Sequence, residues 1–142
     1  MYTALLHTHS SIRYVVLIML LIVIVKSLLG LVNKKPFVKL DNTLSLILLI
    51  ATHIQVVAGL LLYFVSPFVK FGSETMSDKF TRYWTVEHIF AMIIAVVLIT
   101  AARSTSKKMT DATARHKRLF IFNTLALVII VATIYLSGRG VI

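Results

Sequence analysis

Four runs of Val, Leu, Ile, Ala and Phe, at about 9–32, 43–65, 83–102 and 119–136, leave this chain few ways to fold. A helix rises about 1.5 Å per residue, so each run is long enough, or nearly so, to cross the roughly 30 Å hydrocarbon core of a bilayer. Strands are a poor alternative, because the runs are long and show no alternation of period two. A lone span must also satisfy its own backbone groups in lipid, which a helix does and an open strand does not. The expectation is an all-α integral membrane four-helix bundle forming one domain across residues 1–142, with both termini on the outer side.

Composition agrees. Of the 142 residues, 58% are hydrophobic and 14% charged, too little polarity to cover a water-soluble enzyme. There is no cysteine, which excludes structural disulfides, iron–sulfur clusters, covalently attached c-type haem and thiolate zinc sites. The basic residues near the first run follow it rather than precede it, so it reads as a retained helix and not as a cleaved leader. The linkers are 33–41, with Lys34, Lys35, Pro36 and Lys39; 67–82, with a turn at Gly72 and Ser73; and the basic stretch 103–118. No internal repeat or low-complexity tract stands out.

The net charge of +10 invites a nucleic-acid reading until the positions of the charges are considered. Nine basic residues fall in the first and third linkers, against five on the other side (Arg13, Lys70, Lys79, Arg82 and Arg139), with Lys26 inside the first helix. The positive-inside rule then puts those two linkers on the cytoplasmic side and both termini outside. Topology and attraction to anionic lipid account for the charge, and no base-reading module is present. Nucleic acid is not an expected partner; the lipid bilayer is.

Polar residues within apolar spans are costly and mark sites or helix contacts. The first helix begins with His7, His9, Ser10, Ser11, Arg13 and Tyr14; the third with Arg82, Tyr83, Trp84, Thr85, Glu87 and His88. Thr52, His53 and Gln55 lie near the middle of the second, and Asn123 and Thr124 in the inner part of the fourth. His88 follows Trp84 by four residues, roughly 6 Å inside an interfacial aromatic, and His9 begins the first helix at a similar level. His53 is ten residues from Tyr63, about 15 Å deeper than the outer interface. His116 falls in the basic linker, where it reads as solvated or lipid-facing.

At about 100° per residue, His88 shares a stripe with Ala91, Met92, Ala95, Ile99 and Ala102. Such a stripe suits close helix packing, or room for a flat macrocycle beneath a histidine ligand. His53 and Gln55 point to nearly opposite faces, whereas Thr52, Gln55, Gly59 and Tyr63 form a face able to approach a neighbour closely at Gly59. Arg13 and Glu87 either pair between helices or, for Arg13, snorkel to headgroups; Lys26 reads as snorkelling. His7 and His9 form a weak metal motif that needs His88 as a third ligand. Zinc-protease, phosphate-loop and serine-hydrolase signatures are absent.

Three segments, HSSIRY in the first helix, HIQVVAGLLLY in the second and RYWTVEHIFAM followed by RSTSKK in the third, resemble small bacterial four-helix membrane proteins of a cytochrome b-like family. The resemblance spans nearly the whole chain. It implies a haem b in the bundle and passage of single electrons, with His9, His53 and His88 matching the family's histidines. Imidazoles on facing helices at matched depth, with cations for the propionates, favour His9 and His88 as axial metal ligands and Arg13 or Arg82 beside the propionates. His53 is the rival ligand. No second depth-matched pair is present, which speaks against two stacked haems.

Three roles follow: a haem-binding electron carrier or anchor for a redox partner, a non-catalytic subunit of a larger inner-membrane complex, and a small proton-conducting channel or transporter with Glu87, His88 and His53 as a relay. An electron carrier or complex subunit is favoured over a stand-alone enzyme.

Overall fold

A computed structural model describes residues 2–67, 69–72 and 75–136, with the side chains of Phe80 and Trp84 left aside. The inferred turn residue Ser73, the aromatic belt at Trp84 and the basic Arg139 therefore lie outside the described residues or side chains. Among the described residues there are no strands. Helix α1 is Tyr2–Val32, α2 Lys39–Val65, the short α3 Lys79–Arg82, α4 His88–Ser106 and α5 Ala112–Leu136. A π-helical turn, Tyr83–Glu87, joins α3 to α4 without a break. Four of the helical segments are long and apolar enough to cross a membrane.

The helices close a ring in which α1 packs on α2 and α5, and α4 packs on α5 and α2, so α1 and α4 stand diagonally across the bundle. The centre is filled by Leu20, Leu48, Ile99, Ala126 and their neighbours. Outward positions are apolar on every long helix: Ile18, Val25, Val57, Val97 and Val128 are all more than half exposed. An apolar exterior of this extent suits lipid rather than water, consistent with a multi-pass membrane protein.

The up-and-down connectivity gives the bundle two distinct ends. One, the His9 end, gathers the start of α1, the end of α2, the π-turn and the end of α5. The other, the His116 end, gathers the linkers around Pro36 and Lys108. At the His116 end α1 stops because Lys34 takes a left-handed conformation (φ 50°) and Lys35 N–H reaches back to Gly30 O at 2.9 Å, satisfying a terminal carbonyl. Pro36 prevents the helix from resuming.

Two expectations are corrected at this end, each because a helix starts earlier than its apolar run. Helix α2 begins at Lys39, where the carboxylate of Asp41 accepts the Val38 N–H at 2.9 Å. The other oxygen of Asp41 meets Lys26 Nζ at 2.9 Å, so Lys26 is ion-paired rather than snorkelling. Helix α5 begins at Ala112, where Asp111 Oδ2 accepts the Ala114 N–H at 3.1 Å. His116 is consequently on a helix face turned inward, 1% exposed, against Gly30 and Phe37, and is neither solvated nor lipid-facing.

Candidate functional site

At the His9 end, α1 and α4 each present a histidine toward the bundle axis. The two imidazole centroids are 6.4 Å apart with their planes at 75°. Depth and face, both legible in the helical period, bring them together from diagonal helices. His9 is held from α2: Gln55 Nε2 donates to His9 O at 2.9 Å, and a Cβ built on Gly59 would stand 3.1 Å from His9 Cε1. Glycine thus lets the imidazole lie on the α2 backbone. His9 Nδ1 is buried without a hydrogen-bond partner among the described residues.

His88 is set by the π-turn. In regular α geometry position 84 would lie one turn before His88; the wider turn, closed by His88 N–H to Tyr83 O, brings residue 83 there instead. Tyr83 Oη lies 3.5 Å from His88 Nδ1 and donates to Thr133 O on α5 at 2.8 Å. The i,i+5 spacing also closes a contact of Arg82 Nε with Glu87 Oε1 at 2.6 Å. The loop is tied to the same turn: Tyr63 Oη donates to Thr85 O at 2.7 Å, and Lys70 N–H to Thr85 Oγ1 at 2.9 Å.

Both rings line an apolar cavity of about 190 Å³ that reaches from Leu6 and Ser66 down to Thr52 and Ile99. Met92, Ala95 and Ile99 of the small stripe below His88 form one wall, and Thr52, Gln55, Gly59 and Tyr63 of α2 another. Arg13 borders it; one guanidinium nitrogen, Nη2, donates to Tyr14 Oη at 3.1 Å, while Nε is buried without a hydrogen-bond partner among the described residues. Leu60 and Ile93 line the cavity and are also exposed, so it approaches the surface along the seam between α2 and α4.

Other candidates are elsewhere. His53 is exposed and its Nε2 lies 3.1 Å from Thr100 Oγ1, on the face opposite Gln55, so the structure does not bring it to His9 or His88. Arg82 is engaged by Glu87 and by Met76 O at 3.1 Å and is not part of the cavity wall. Glu87 pairs with Arg82, not with Arg13 as one expectation had it. The proposed relay of Glu87, His88 and His53 is therefore not assembled. No group of three or more metal-type ligands occurs among the described residues, and the motif of His7 with His9 gains no such cluster. Sequence reasoning placed Tyr83 in the outer cluster but not against His88, where the π-turn sets it, and missed Thr133, whose carbonyl anchors the Tyr83 hydroxyl.

The residues suit a haem in their donors. Two imidazoles ligating one iron at about 2 Å, each centroid about 1.2 Å behind its nitrogen, have centroids roughly 6.3 Å apart, close to the observed spacing. The His9 ring has its Gly59 cradle, and Arg13, with its Nε buried, borders the space. The cavity is smaller than a porphyrin, so a haem would have to extend beyond it. Comparison with protein-family models, with curated proteins and with solved structures yields no match.

Proposed function

We propose that the chain is a haem b protein of a bacterial inner membrane, of the cytochrome b-like kind its motifs resemble, carrying single electrons or anchoring a redox partner. His9 and His88 would hold the haem iron and Arg13 would offer a cation to a propionate. The observation that carries this reading is the pair of imidazoles 6.4 Å apart that both line one apolar cavity, from helices that do not otherwise pack together closely. Bound haem supplies one-electron chemistry; the chain orients it, keeps water from it and sets its potential through ligand identity and burial. A partner is needed because a single haem near one end cannot carry an electron across the membrane.

The test is the absorption spectrum of the protein purified from haem-sufficient cells. A reducible Soret and alpha-band pair is expected, and its absence overturns the reading in favour of a scaffold subunit.

Orientation belongs to the same proposal: termini in the periplasm, basic linkers in the cytoplasm, as the count of nine against five directs. With no native cysteine to interfere, Lys70→Cys should react with an impermeant thiol reagent on spheroplasts while Lys35→Cys stays protected. The reverse pattern inverts the topology.

A further inference from the structure

Tyr83 does two things with one hydroxyl. Its single proton is directed to Thr133 O, 2.8 Å away in a buried contact, so toward any other neighbour Oη can only accept. His88 Nδ1 stands 3.5 Å from that oxygen, with the two ring centroids 5.8 Å apart. For the contact to be favourable, Nδ1 must carry the hydrogen; two lone pairs facing each other would repel. Nε2 is then the nitrogen with the lone pair. A histidine that ligates a metal through one nitrogen commonly donates from the other to a fixed acceptor, which sets the tautomer and raises the basicity of the ligating nitrogen.

The placement depends on the π-turn. A π-bulge inserts one residue into a helix and is frequent at functional sites, and in this chain it exchanges the side chain presented one turn before His88 for a phenol anchored on another helix. The anchor matters, because Thr133 O belongs to α5, which packs on both α1 and α4. The phenol is thereby fixed against the bundle rather than swinging with its own turn. The surrounding loop adds rigidity: Thr85 of the same turn accepts from Lys70 N–H, and Thr75 Oγ1 donates to Lys70 O at 2.7 Å.

We infer that Tyr83 is a positioning residue which holds His88 in the Nδ1–H tautomer and so both readies Nε2 for ligation and tunes the electron donation of that ligand. The tautomer follows from the protein alone; the tuning rests on the proposed haem ligation by His88.

Two measurements test it and fail separately from that ligation. In the full chain purified in detergent without haem, nitrogen-15 resonances of His88 should show a protonated Nδ1 and an unprotonated Nε2 at neutral pH. The opposite tautomer, or a doubly protonated ring, overturns the inference, and this arm needs no variant. In the haem-loaded protein, Tyr83→Phe keeps the ring and removes the acceptor. It should retain the low-spin spectrum of two axial histidines while its midpoint potential moves to a more positive value, since a less basic ligand favours the oxidised iron less. An unchanged potential overturns the tuning role. If wild-type protein takes up no haem, the functional proposal falls, and the nitrogen-15 result still decides the tautomer.

Discussion

Each end of the bundle sets a histidine against a glycine of a neighbouring helix, and the two contacts do different work. At the His116 end, a Cβ on Gly30 would fall 2.5 to 2.7 Å from three atoms of the imidazole, which also packs on Phe37 at 5.2 Å and sits 3.4 Å from Pro36 O. Arg115 closes the outside, its guanidinium 3.8 Å from the centroid of Phe37. At the His9 end the corresponding approach to Gly59 is 3.1 Å, and the other side of the ring borders a cavity. A buried histidine is therefore not in itself a site. One ring is a packing element between α1 and α5, and the other has space beside it and a second imidazole 6.4 Å away on the same cavity.

Removing the rings separates these roles most sharply. His88→Ala and His9→Ala should each abolish the reducible haem spectrum, whereas His53→Ala and His116→Ala should leave it in place. His116→Ala should instead lower stability by about 2–4 kcal/mol, as a large-to-small change in a filled site does. Loss of the spectrum in His53→Ala with retention in His9→Ala would move one axial ligand to the second helix and overturn the pairing of His9 with His88.

The glycines give the next contrast. Gly30→Ala has no room, since the nearest ring atom is at 2.5 Å and the ring is enclosed by Phe37 and Pro36, so a loss of roughly 1–3 kcal/mol is expected from overpacking. Gly59→Ala needs only a few tenths of an ångström, and His9 can yield toward the cavity. Its main effect should be weaker haem retention with little change in unfolding. Equal stability losses in the two variants, read by detergent-denaturation midpoints, would show that the cavity gives no slack.

Much of the His9 end could be read from the sequence because helical phase carries it. The opposition of His53 and Gln55, the close approach at Gly59 and the small stripe below His88 all follow from about 100° per residue. The His116 end was obscured because hydropathy locates an apolar run but not the polar first turns that precede it. Helices α2 and α5 start four and seven residues before the predicted 43 and 119, at Lys39 and Ala112, and those turns carry Asp41 and His116 inward. The π-turn was invisible for a different reason: no composition marks it, and its only trace is a charge pair, Arg82 and Glu87, at a spacing of five rather than three or four.

Lys26 and Asp41 test whether those early first turns hold the His116 end together. The pair is intermediate in burial, with side-chain exposures of 33% and 5%. Replacing Lys26 by Met leaves Asp41, among the described residues, with the Val38 N–H. The expected loss is about 1–2 kcal/mol, between that of an exposed and a fully buried pair. Lys26→Met with Asp41→Asn should recover part of it. Additive losses in the double variant would mean that the pair is not coupled.

The smallest expected effect compares two helix starts, one at each end. Asp78 caps α3 as Asp111 caps α5: Thr81 N–H donates to Asp78 Oδ2 at 3.0 Å, and the Thr81 hydroxyl donates to the same oxygen. These bonds, the hydroxyl's first, hold the Asp78 carboxyl below its ordinary value of 3.8, with Lys70 adding a little. A carboxyl depressed in the folded state stabilises it above the unfolded value, and that contribution disappears as pH falls through the folded one. The Thr81 amide resonance should therefore titrate with a midpoint below 3.8, and Asp78→Asn, which keeps an acceptor without the charge, should remove the transition. Because α3 runs directly into the turn that carries Tyr83, the same titration should perturb Tyr83 but not His116. A midpoint at the ordinary carboxylate value would mean that α3 frays in the membrane-bound protein and that the π-turn is held by its loop contacts alone.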